Sequence, residues 1–199
     1  MADDKSGRDK QADDENRRQR QRAIQMELER GDEPEPPIDP SELATVELTL
    51  EAVEFPATGA DVVAAVGEHE ITATDGTYTV AELVPATDVE TFDAPAAVRE
   101  RVQRPTVAGA MKRVVEASAT LSNTEFPSSQ RDGYEKTFRA LEDVDADDED
   151  EGIAYIREWI VERIRDKEKL PGSRGVRREA AKFCRKNGYP VRNDEWLGI

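Results

Sequence analysis

Between Pro171 and Arg192 the chain carries seven basic residues, Arg174, Arg177, Arg178, Lys182, Arg185, Lys186 and Arg192, against one acid, Glu179. A guanidinium fork holds two oxygens at fixed geometry, so this composition suits phosphate or carboxylate recognition. It is conspicuous because the formal net charge is −16, with 44 Asp+Glu against 28 Lys+Arg.

Other residues capable of chemistry are sparse. Asp143, Asp145 and Asp147 have calcium-loop spacing, but Asp148 stands where the loop needs glycine and Ala154 where it needs a bidentate glutamate. Starting the loop at Asp145 places Ile156 in the glutamate position. The stretch Glu142 to Glu151 therefore reads as a solvated acidic linker. His69 and Cys184 are the single histidine and the single cysteine, too few for a four-ligand structural zinc site within one chain. A Cys184–His69 nucleophilic pair stays open, although no neighbouring residue orients it. There is no Walker A loop and no dinucleotide fingerprint, and carboxylates are too abundant for any pair of them to carry meaning. No catalytic residue, metal ligand or cofactor is assigned, and a non-enzymatic protein is expected.

The basic residues must be positioned by a helix. With about 100° between successive residues, Val176, Ala180, Phe183 and Cys184 cluster on one side of a helix that Ser173 can cap and Gly188 and Pro190 end. Arg174, Arg178, Lys182 and Arg185 then fall on the opposite side, with Arg177 and Lys186 flanking. Phe183 is expected in the core, with Tyr189 and Trp196 nearby to stack or pack. Before this helix comes the turn Leu170-Pro171-Gly172-Ser173. Before that lies the strongest amphipathic pattern in the chain, Ile153, Ile156, Trp159, Ile160, Val161 and Ile164. Helix, short turn and basic helix give the outline of a helix-turn-helix. Tyr134, Phe138 and Leu141 mark a further helix.

The expected fold class is α+β: a disordered charged arm and Pro-rich linker over residues 1–40, a small helix/hairpin/helix unit over 41–120, and a helical unit over 121–199. Met1 to Pro36 holds 11 acids and 8 bases with few large apolar residues, and so cannot bury much. A short solvated helix over about 12–30 would end at Gly31. In the second segment, Val46, Leu48 and Leu50 alternate as in a strand, while Leu43, Val46, Leu50 and Val53 fit a helix. Thr58 can cap a helix carrying Val62, Val63 and Val66, with Gly67 at its end. Asp75-Gly76 reads as a two-residue hairpin turn with positive φ at Gly76. That turn pairs Ala73 with Tyr78 and Ile71 with Val80. Asp93 and Thr106 are the expected caps of two further helices, one carrying Val98 and Val102 and the other Val107, Met111, Val114 and Val115.

Several strings together, Phe55-Pro56-Ala57-Thr58, Tyr78 through Pro85, and Thr91-Phe92-Asp93 through Arg104-Pro105-Thr106, resemble a family of haloarchaeal proteins of unknown function. The charged start Lys5 to Gln11 shares in the likeness. The resemblance covers residues 41–115 best, and implies no catalytic residues.

Composition points the same way. The chain has 8 Lys against 20 Arg and only 6% aromatics. A dense carboxylate surface with few lysines suits a very salty cytoplasm, where at about 1 M salt charges are screened within about 3 Å. One cysteine excludes an intramolecular disulfide and fits a reducing cytoplasm. No basic-then-apolar leader and no apolar run of membrane length is present, so secretion and insertion are disfavoured. Three readings of the basic helix compete: a nucleic-acid contact, a dock for an acidic protein surface including Glu142 to Glu151, and an ordinary solvated face. High salt weighs against the first, because counterion release weakens as salt rises. Oligomeric state is not legible. The charge balance predicts that folding depends on salt: dilution from molar to ~0.1 M KCl should lower the melting temperature as carboxylate repulsion is unscreened. An unchanged melting temperature would remove the halophilic reading.

Overall fold

The computed structural model describes residues 37–39, 41–121, 126–144 and 150–189. The helix expected over 12–30 and most of the charged arm lie outside them. The described residues are mostly helical, with two antiparallel two-stranded sheets. They form two apolar clusters that meet along one helix.

The first cluster begins at Ile38, which is buried with Leu43, Val46 and Leu50. Helix α1, Ala44–Leu50, settles the strand-or-helix ambiguity: Val46 and Leu50 point inward four residues apart, and Leu48, inward in a strand, is 65% exposed. Strand β1 (Ala57–Thr58) leads into α2 (Gly59–Val66). Thr58 caps α2 as expected. Its Oγ1 accepts from the Asp61 N–H at 3.1 Å, and the Asp61 carboxylate accepts from the Thr58 N–H at 2.9 Å, a reciprocal capping box. The Thr58 hydroxyl, which donates to that carboxylate at 2.7 Å, and the Thr58 N–H hold the Asp61 carboxyl below its ordinary range.

The hairpin forms between β2 (Glu70–Ala73) and β3 (Gly76–Thr79), but in another register. Ile71 pairs with Tyr78, and Ala73 with Gly76, so the two-residue turn is Thr74-Asp75 rather than Asp75-Gly76. Gly76 is a strand residue and is not left-handed. Two local bonds account for the shift. Tyr78 donates its hydroxyl to Asp75 Oδ2 at 2.7 Å, which pushes the phenol pKa up to about 12. Thr79 and Glu82 form a second capping box that starts α3 (Val80–Leu83), so Val80 is taken into a helix and cannot pair with Ile71. Because the slip is two residues along the partner strand, the inward face survives it.

Strand β4 (Thr91–Phe92) pairs with β1, Ala57 opposite Phe92. Helices α4 (Pro95–Val102) and α5 (Pro105–Ser118) follow. Neither uses the expected cap. Ala94 and Arg104 hold the cap positions without side-chain capping bonds, and Pro95 and Pro105 stand first in their helices. A proline there brings a preset φ and no N–H to satisfy, so it sets the boundary by itself. Val98, Val102, Val107, Met111, Val114 and Val115 are buried as the periodicity predicts.

Helix α5 serves both clusters. Ala108 belongs to the first; Val107, Ala110, Met111, Val114 and Val115 belong to the second. Helices α6 (Ser128–Val144), α7 (Glu151–Lys167) and α8 (Ser173–Asn187) complete that second cluster, with Tyr134, Phe138, Leu141, Ile153, Ile156, Ile160 and Ile164 inside it.

Two glycines give opposed expectations. A Cβ on Gly59 would stand 2.2 Å from the Pro85 carbonyl oxygen, and backbone must move to admit it. Gly59→Ala should cost about 1–3 kcal/mol by chemical denaturation. A Cβ on Gly76 meets only a Tyr78 ring carbon at 4.0 Å. Gly76→Val should stay within about 0.5 kcal/mol. Equal costs would contradict the Thr74-Asp75 turn.

Candidate functional site

The basic face is assembled on α8. Val176, Ala180, Ala181 and Cys184 are buried, seated against α6 and α7. The start of the helix is fixed by α6. Gln130 Nε2 donates to the Pro171 carbonyl at 2.7 Å, and the Tyr134 hydroxyl donates to the same oxygen. Burial pushes the Tyr134 phenol up to about 12. Gly133 admits Ser173 beside it, since a Cβ there would lie 2.8 Å from the Ser173 Cβ. At the other end, Gly188 takes the left-handed conformation with φ 78° and its N–H bonds the Cys184 carbonyl.

With the apolar side so placed, Arg174, Arg178, Lys182, Arg185 and Lys186 are exposed and Arg177 is half-buried. Arg192 lies outside the described residues, as does Trp196. Lys182 pairs with Glu179 at 3.1 Å on its own helix. Among the described residues, no carboxylate lies within ion-pair distance of Arg174, Arg177, Arg178, Arg185 or Lys186. The Arg177 Nε is buried without a hydrogen-bond partner there.

Phe183 departs from expectation. It is half-buried, at the edge of the apolar face, where Tyr155 of α7 and Tyr189 flank it. The Tyr155 and Phe183 ring centroids are 4.9 Å apart at 26°, and those of Phe183 and Tyr189 are 6.1 Å apart at 23°. Tyr155 is 43% exposed and donates to Glu179 Oε1 at 3.1 Å, the oxygen that also accepts from Lys182. The sequence marks Glu179 only as the one acid of the basic segment and does not single out Tyr155. The available signal was an aromatic residue just off the Ile153, Ile156, Ile160 stripe of α7.

The acidic stretch is only partly described. Its first member, Glu142, lies 2.7 Å from Arg104 Nη1, so it is engaged by the segment before α5 rather than by α8. Burial pushes the Glu142 carboxyl upward, against the pull of Arg104. Asp145 and Asp147, the remaining calcium-spaced positions, lie outside the described residues. His69 and Cys184 are not brought together. Cys184 is buried in the second cluster, and His69 sits half-buried between α2 and β2. Among the described residues, no group of three or more His, Cys, Asp and Glu is arranged to hold a metal ion. No helix among them is long and apolar enough to cross a membrane.

A second polar assembly lies between the clusters. Glu90, 1% exposed, accepts from Arg101 Nη1 and Nη2 at 3.1 and 2.8 Å, and Arg131 Nε lies 3.7 Å away. Arg101 also reaches Glu135 at 3.1 Å, which Arg139 holds at 2.6 Å. Burial opposes the Arg101 charge, but Glu90 and Glu135 outweigh it and shift its pKa upward. Every charge in this group faces an opposite one, as a structural network requires.

Residues 40–114 match a family described as "Family of unknown function (DUF5789)". No curated protein and no solved structure matches the chain. The matched span coincides with the segment whose strings carried the resemblance. It covers α1 to α4, ends within α5 and stops short of α8.

Proposed function

We propose that the protein is a non-enzymatic binding or accessory module of a salty, haloarchaeal-type cytoplasm, and that α8 is its contact surface for nucleic acid. One contrast carries the reading. The chain has a large excess of acid, and Arg99, Arg101, Arg104, Arg131 and Arg139 each pair with a carboxylate. The exposed arginines of α8 find none among the described residues. Arg113, Arg163 and Arg165 also pair with no carboxylate among the described residues, but acids such as Glu116, Glu162 and Asp166 stand near them in sequence. Helix α8 carries the acid Glu179 alone, and so offers its cationic face to an external polyanion. The succession of α7, the turn 168–172 and α8 supports a helix-turn-helix-like presentation, with the basic face outward.

The alternative is a protein–protein adaptor in which α8 docks on an acidic surface, including the chain's own Glu142 to Glu151. The pairing of Glu142 with Arg104 counts against the internal form of that alternative. Replacing Arg174, Arg178, Lys182 and Arg185 together with Gln separates the two. The expected result is a nearly unchanged melting temperature, since all four are exposed. Binding of labelled duplex and single-stranded oligonucleotides, at the lowest salt that keeps the protein folded, should fall about tenfold or more by fluorescence anisotropy. Unfolding of the variant without a loss of binding would make α8 an internal clamp instead.

A further inference from the structure

The aromatic rings beside the basic face raise a narrower question, which rests on the reading just given. On the wheel of α8, Phe183 stands at the edge of the apolar side. Going outward from it come the acid Glu179, then Lys186, Lys182, Arg178, Arg185 and Arg174. The aromatic edge and the cations are therefore neighbours, with the one acid of the helix at their border. Glu179 joins them, because its Oε1 accepts from both the Tyr155 hydroxyl and the Lys182 ammonium, each at 3.1 Å. That shared acceptor sets an exposed phenol ring and a flexible cation side by side. Tyr155, Phe183 and Tyr189 lie within 26° and 23° of parallel, in the order Tyr155–Phe183–Tyr189. Phe183, in the middle, is covered by its two neighbours. Tyr155, at 43% exposed, is one of the two large hydrophobic residues left open to solvent among the described residues.

Near-parallel rings with an open outer member, bordered by cations, are what an unpaired nucleobase needs. The base stacks on the ring, and its flanking phosphates meet the lysines and arginines. A duplex, with its bases stacked internally, can use only the cations. An acidic protein segment would likewise use the cations and has no flat base to set on Tyr155. We propose that Tyr155, backed by Phe183 and Tyr189, is a stacking platform for a base of single-stranded nucleic acid, with Lys182 and Lys186 as the adjoining phosphate contacts.

The test compares Tyr155→Leu, which keeps an apolar group over Phe183 but removes the ring, with Tyr155→Phe, which keeps the ring and removes the hydroxyl. Each is titrated by anisotropy against labelled oligo(dT) and a labelled DNA duplex, with poly-glutamate as competitor and a melting scan to confirm folding. Tyr155→Leu should weaken oligo(dT) about tenfold and leave duplex binding within about twofold, while Tyr155→Phe retains most of the oligo(dT) affinity. Equal loss for both ligands, or loss for neither, overturns the platform while leaving the cationic reading of α8 standing. Displacement of oligo(dT) by poly-glutamate at matched charge also overturns it, and identifies an acidic protein surface as the partner. If the unaltered protein binds neither oligonucleotide, the proposed function and the platform fail together.

Discussion

Burying the Glu90 carboxylate, at 1% exposure, is the constraint on which the arrangement of the helices depends. An ionised carboxylate taken out of water must be met by opposite charge, and losing one partner of such a pair typically costs about 3–5 kcal/mol. Arg101 meets it from α4 with two hydrogen bonds, and Arg131 approaches from α6. Arg101 then reaches across to Glu135, again on α6. The pair fixes α6 against the first cluster, and Arg104–Glu142 repeats the link toward the far end of the same helix. Well-packed apolar residues in place of such ions are often equally stable, so the contribution lies in register rather than in net stability. With α6 held, Gln130 and Tyr134 fix Pro171, and Pro171 fixes the start of α8. A buried carboxylate next to β4 thus helps determine where a basic helix that starts at Ser173 is anchored.

The same economy of charge frames the functional reading. The arginines of α4, α6 and the segment between α4 and α5 are spent on carboxylates of the fold. Those of α8 are held at the surface by an apolar underside of small residues, Ala180, Ala181 and Cys184, that lets the helix lie close to α6 and α7. The lone cysteine is used for packing, which the burial of a small, weakly polar side chain explains. The span similar to the family of unknown function stops within α5, so the basic helix lies beyond it.

The helices were legible wherever large apolar residues recur at helical spacing, as along Tyr134, Phe138 and Leu141 or Ile153, Ile156, Ile160 and Ile164. The cap at Thr58 was equally legible, because threonine followed three residues later by aspartate supplies both halves of the capping box. The hairpin was legible as a hairpin but not in its register. Thr74, Asp75 and Gly76 all suit turns, and the deciding bonds, Tyr78 to Asp75 and Thr79 to Glu82, act from outside the turn itself. The starts of α4 and α5 were misplaced because Pro95 and Pro105 override nearby capping side chains. The buried ions were invisible in a chain with 36% charged residues, where nothing local distinguishes Glu90 from the solvated acids around it. In α8 the basic and apolar sides followed from spacing alone. Phe183 fell between them, and its place at the margin depends on Tyr155, which comes from another helix.

The central claim is that the exposed cations of α8 neutralise phosphates. The most direct measurement is the affinity of the unaltered protein for oligo(dT) across a range of KCl concentrations at which it stays folded. Four phosphate contacts predict that log K falls linearly with log salt at a slope of about −3, and that the four-glutamine variant loses most of that slope. A flat dependence, or a slope unchanged in the variant, would contradict the claim.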